Sequence, residues 1–137
     1  MRTATEVAKW ISIEEGKYQN YLELLTGDVF SKFDGTDKEV MENKKTINAL
    51  IKLQPVLYKF DEYKNNGLPS DLDIGLLEEL KDFCTSQKER FNKKIYEAVG
   101  KDNPFVDIIP SFESATLYQE AEIYIMILVA LTKGGSF

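Results

Sequence analysis

The stretch from Ile123 to Leu131, IYIMILVAL, carries neither a charge nor an amide side chain, and any fold of this chain has to cover it. A helix that crosses a bilayer needs about 20 apolar residues. Nine, preceded by Glu122, fall short, so no membrane span is expected. Ile, Tyr and Val favour strands, and Val56–Phe60 or Phe105–Ile109 are apolar enough to pair with one. Leu117–Ala121, however, leads into the run through good helix formers with no turn residue between, so one continuous helix needs fewer breaks. On that helix Leu117, Ala121, Tyr124, Leu128 and Leu131 form a face that is apolar throughout. The flanking faces start with Glu120 and Glu122 and then become apolar. The second half therefore has no side suited to water. It is expected either in the middle of the fold or covered by a second copy or a partner.

The rest of the chain reads as helices that could do the covering. Thr3-Ala-Thr-Glu6 is a capping box, with Val7, Trp10, Ile11, Tyr18, Tyr21, Leu22 and Leu25 as a stripe behind it and Gly27 as a stop. Thr36-Asp-Lys-Glu39 repeats the box ahead of Val40, Ile47, Leu50, Ile51 and Leu57. Pro55 predicts a kink or break near Leu53 or Gln54, with a further helical stretch to about Tyr63. After the Asn65-Asn66-Gly67 turn, Ser70 with Asp71 and Asp73 starts a helix whose stripe is Leu77, Leu80, Cys84, Phe91, Ile95 and Val99, ending at Gly100. Residues 101–110 read as a loop, and Ser111 or Ser114 as the cap of the last helix, which Gly134-Gly135 ends. These signals predict an all-α, four- to five-helix antiparallel bundle in one domain over residues 1–137, with a largely buried C-terminal helix.

Composition excludes most chemistry. There is no histidine, which removes Ser-His-Asp and Cys-His sites and any metal centre built on imidazole. The single cysteine, Cys84, lies on an apolar stripe and reads as a small buried hydrophobe. One cysteine, with no charged-then-apolar leader at the start, leads us to expect a cytoplasmic protein. Neither G-x-G-x-x-G nor G-x-x-x-x-G-K-[ST] occurs. Asp34-Gly35-Thr36-Asp37 lacks the ligand pattern of a calcium loop. No cofactor is expected. The net charge of −6 argues against direct nucleic-acid binding, although 43–60 and 83–101 are net positive within an otherwise negative chain.

Carboxylates remain. Glu39-Val-Met-Glu42 and Glu79-Leu-Lys-Asp82 place an E-x-x-E and an E-x-x-D on successive helices. The pairing resembles the magnesium-binding carboxylates of the all-α nucleoside triphosphate pyrophosphohydrolases, the MazG-like family, and implies a divalent-metal nucleotide hydrolase as one alternative. At about 100° per residue, Glu79 and Asp82 point roughly 130° and 170° away from their apolar stripe, and Glu42 also points outward. A metal cluster inside a bundle needs inward carboxylates, so solvated faces account for them better. Glu14 does point inward, within about 20° of its stripe centre, and Gln87 and Lys88 interrupt the later stripe near mid-length. Together they are either a polar site or a register-fixing layer, for instance a Glu14–Lys88 pair.

A binding surface is expected at Phe105, Val106, Ile108, Ile109 and Phe112, an apolar cluster around Pro104 and Pro110. The same residues could instead fold onto the end of the bundle. Val29-Phe30 with Phe33 is a second candidate. The favoured function is that of a non-enzymatic acidic domain that binds another protein, one with a basic surface, as inhibitor, immunity protein, adaptor or chaperone. Homo-oligomerisation through the C-terminal helix, giving a homodimer, is the third reading.

Overall fold

The structure, a computed structural model, describes residues 1–26, 36–100 and 105–132. Five helices follow one another: α1 (Ala4–Thr26), α2 (Thr36–Tyr58), α3 (Phe60–Asn66), α4 (Ile74–Ala98) and α5 (Phe105–Thr132). No strand occurs among the described residues, and the fold is an all-α bundle.

The local signals act largely where the sequence puts them. Thr3 Oγ1 accepts the Glu6 N–H at 3.2 Å and the Thr3 carbonyl accepts the Val7 N–H at 2.9 Å, which satisfies the open start of α1. Gly67, with φ 87°, turns the chain after α3. Three boundaries differ from expectation. α2 continues through Pro55, which has no N–H to give the Ile51 carbonyl, and breaks later at Lys59. Leu53, Val56 and Leu57 are all buried in that stretch, so packing outweighs the proline's preference. The bend at Lys59 then brings Phe60 edge-on to Tyr124, with ring centroids 4.8 Å apart. The cap of α4 is Asp73, whose Oδ1 accepts the Leu76 N–H at 2.7 Å, rather than Ser70. The stretch expected as a loop before Pro110 is helical from Phe105. Pro110, the sixth residue of α5, supplies no N–H to the Val106 carbonyl, and the helix continues through it. Gly27 and Gly134-Gly135 lie outside the described residues, as do the side chains of Thr36 and Asp37.

Side-chain pairings fix the directions. Tyr21, late in α1, bonds Glu39, early in α2. Lys88 bonds Glu122 and Phe91 stacks on Tyr118, so α4 and α5 are antiparallel, and Arg2–Glu120 with Ser114–Glu14 makes α1 antiparallel to α5. α1 packs chiefly on α2 and α4 chiefly on α5, the two pairs meeting mainly along α1 and α5. One continuous core runs through all five helices: Val7 and Ile11, Leu50, Leu53 and Leu57, Phe60, Leu77, Leu80 and Cys84, and Tyr118, Ile125 and Leu128. Trp10 and Tyr21, on the same spacing as Val7 and Ile11, are half exposed, since they stand on the edge of the stripe that the neighbouring helices cover only in part.

α5 is the element the others enclose. Ile125 and Leu128 are fully buried and Val129 nearly so, Ile123, Tyr124, Ile127 and Leu131 are partly covered, and Met126 alone in the apolar run is largely exposed, at 49%. The stretch Ile108–Thr132 is long and apolar enough to cross a membrane by length and composition. This corrects the nine-residue length argument, because the helix begins well before the apolar block. Packing against α1, α3 and α4 accounts for the same composition. A buried leucine truncated to alanine typically costs 2–5 kcal/mol. Leu128→Ala should therefore lower the free energy of urea unfolding by about 3 kcal/mol, and Met126→Ala by less than about 1 kcal/mol.

Candidate functional site

The line along which α1 meets α5 is polar as well as apolar. Glu120, buried, accepts the Arg2 backbone N–H at 2.8 Å, Nε at 3.0 Å and Nη2 at 2.7 Å, while the Tyr124 hydroxyl donates to the Arg2 carbonyl. The same guanidinium lies over the Trp10 ring, 5.7 Å from its centre. Chain start, α1 and α5 are thus joined by a forked, charge-assisted pair with an indole beside it.

Further along α1, Glu14 is 6% exposed. Its Oε1 accepts from Ser114 Oγ at 3.3 Å and from Lys17 Nζ at 3.5 Å, and its Oε2 from the Tyr118 hydroxyl at 3.4 Å. The inward phase of Glu14 is confirmed, but its partner is not Lys88. Lys88 pairs with Glu122 at 3.1 Å, and Thr85 also donates to Glu122. Gln87 links the two ends of the layer, donating through Nε2 to Tyr18 at 3.2 Å and to Tyr118 at 3.3 Å. Arg90 Nη1 donates to the same Tyr18 hydroxyl at 3.2 Å. Lys88 sits one residue past Gln87, about 100° round the helix, and so faces α5 on another side. Burial, helped by the nearby Tyr18 and Glu14, pushes the Tyr118 hydroxyl well above its ordinary value.

Above Glu14 lies an open groove of about 390 Å³ between α1 and α5. Trp10, Lys17, Phe112, Glu113 and Ser114 form its walls, with Glu14 among them. Trp10 is 47% and Phe112 61% exposed. Ile13 and Ile109, one turn from each along their helices, are about half exposed as well. Of the sequence-expected binding residues, Phe112 is in the groove, Ile109 stands exposed beside it and Ile108 is partly buried. The side chains of Phe105 and Val106 lie outside those described, and so do Val29, Phe30 and Phe33. The cluster is helical and not a loop. Its counterpart on α1, Trp10 with Ile13, escaped the sequence reading because Trp10 shares the spacing of the core stripe.

The outward carboxylates are not brought together. Glu39 and Glu42 line a second groove with Arg90, near the C-terminal half of α4. Glu79 and Asp82 stand exposed on its N-terminal half. Glu79 and Asp82 stand about two to three helical turns along α4 from Arg90. Among the described residues no three His, Cys, Asp or Glu side chains are grouped to hold a metal ion. Cys84 is free and buried, and burial, reinforced by Glu122, pushes its thiol from 9.0 up to about 12. The thiolate that nucleophilic chemistry requires is thereby suppressed.

Comparison of the chain with known protein families, characterised proteins and solved structures gives no match.

Two measurements check this layer. Glu14→Leu removes a buried charge but leaves the Tyr118 and Ser114 hydroxyls without that acceptor, so its net effect should lie within about 1 kcal/mol of zero. A double-mutant cycle with Tyr118→Phe should show a coupling of about 1 kcal/mol. Zero coupling would mean that the Tyr118 hydroxyl does not engage Glu14. Alkaline unfolding reads the second effect. Cys84 and Tyr118 hold their protons more tightly folded than unfolded, so their contribution is complete at lower pH and is lost as pH rises. Stability should fall from about pH 9 upward, and in Cys84→Ala the fall should begin about one unit higher.

Proposed function

We propose that this chain is a non-enzymatic, acidic protein-binding domain that docks its partner across the α1/α5 face. The single observation carrying this reading is that exposed Trp10 of α1 and Phe112 of α5 line one groove, with exposed Ile13 and Ile109 one turn along from them on the same helices. Aromatic side chains with branched aliphatics, rimmed by charge, are what the centres of protein interfaces use. Phe112 and Trp10 open onto a groove with Lys17 and Glu113 at its edges, which provides the polar rim. The net charge of −6 favours a partner with a basic surface. A role as inhibitor, immunity protein, adaptor or chaperone in the cytoplasm is consistent with these features, with no cofactor and no direct contact to nucleic acid or membrane. The metal-dependent alternative lacks support, since Glu39, Glu42, Glu79 and Asp82 form no cluster.

The test is co-purification of partners with the wild type and with a Trp10→Ala/Phe112→Ala variant. Both side chains are substantially exposed, so the variant should keep its helical circular dichroism and a midpoint within a few degrees of wild type. It should lose the partner that the wild type retains. A fully folded variant that retains the same partner would rule out this face as the interface.

A further inference from the structure

We propose that the α1/α5 groove accepts an arginine side chain of a basic partner, with the guanidinium on the Glu14 carboxylate and against the Trp10 and Phe112 rings. This rests on the preceding reading of the docking face and names what that face recognises.

The chain's own Arg2 shows the chemistry the groove supports. Its guanidinium lies between a buried carboxylate, Glu120, held at 2.7 and 3.0 Å, and the Trp10 ring at 5.7 Å. Glu14 presents a second buried carboxylate to the same groove, with Trp10 on its own helix and Phe112 on α5. The two carboxylates differ in how firmly they are held. Every contact to Glu14 lies at 3.3–3.5 Å, whereas a charge-assisted N–H···O bond closes to about 2.7–2.9 Å. A carboxylate offers about four acceptor positions, so Glu14 retains capacity that Glu120 has committed to Arg2.

Lys17 is the cation beside Glu14, at 3.5 Å and with its side chain 68% exposed. An ammonium on a flexible, hydrated stem is easily displaced by a planar guanidinium, which bonds a carboxylate through two parallel N–H groups and stacks on aromatic faces. Arg2 also lines the groove but is paired with Glu120, so with Lys17 against Glu14 the groove keeps one carboxylate in excess, Glu113, which together with the net charge of −6 draws a cation toward the site. Desolvation between two rings then strengthens its pairing with Glu14.

Trp10 is the sole tryptophan of the chain, so its emission reports on the groove directly. The full chain is titrated with the peptide acetyl-Leu-Arg-Leu-amide and with the same peptide carrying citrulline, which keeps the shape and removes the charge. The expected result is a saturable change with the arginine peptide at about 1 mM or tighter, and binding at least about 5-fold weaker with citrulline. Glu14→Gln should reduce the arginine peptide to the citrulline level, and Lys17→Ala should tighten it about 2-fold by removing the competitor. Thermal unfolding by circular dichroism checks that each variant is folded. Should Glu14→Gln fail to fold, the Lys17→Ala arm decides, and unchanged or weaker binding there overturns the proposal. Equal affinity for the two peptides overturns the arginine assignment while leaving the face an apolar docking surface. No saturable change with either peptide also overturns the arginine site. Whether the face docks any partner is then read from the Trp10→Ala/Phe112→Ala comparison.

Discussion

The fold depends on covering most of one helix. The Ile123–Leu131 stretch of α5 has no polar face, and its Ile125, Leu128 and Val129 are buried in a helix that packs mainly on α4, with α1 and α3 also in contact. Area burial of this kind is not directional, and by itself would let the helices slide past one another. Direction and register come from the polar groups near the middle of the same helix. Glu120 anchors Arg2, Glu122 anchors Lys88 and Thr85, and Tyr118 meets Gln87 and Glu14. α5 is thus apolar where it needs volume filled and polar where it needs alignment.

The same division places the groove. The two helix pairs, α1 with α2 and α4 with α5, meet mainly along α1 and α5, and the meeting is closed at its lower level by Val7, Ile11, Leu117 and Tyr118. Beside these residues the two helices leave an open groove, with Trp10 and Phe112 about half in water and buried Glu14 on its lining. A buried carboxylate held by three long bonds is costly unless it contributes to alignment or to binding. In this position it can contribute to both.

Much of this is legible in the residues. The Thr3–Glu6 box, the Asn65-Asn66-Gly67 turn and the unbroken entry from Leu117 into the apolar run are local signals, and local chemistry decides them. The phase of Glu14 is equally local, since 3.6 residues per turn fixes its direction relative to Val7 and Ile11. What the residues do not carry is the azimuth of neighbouring helices. Glu14 therefore meets Ser114 and Tyr118 instead of Lys88, and Trp10 falls on the partly covered edge of a stripe it shares with buried Ile11. The helical state of Phe105–Ile109 is obscured by Pro110, a residue that discourages a helix interior far more than a helix start. Half of the exposed apolar face was visible in Ile109 and Phe112. The other half, Trp10 with Ile13, required the tertiary arrangement.

Native-state amide hydrogen exchange over residues 123–131 tests the central claim most directly, because it reports whether this helix opens alone or only with the whole fold. If its own chain covers α5, the amides of Ile125, Leu128 and Val129 should exchange with the full free energy of global unfolding, equally in dilute and concentrated protein and with or without lipid vesicles. Protection well below the global value in dilute protein, rising with protein concentration or on adding vesicles, would show that another copy or a bilayer completes the burial, and would contradict the account.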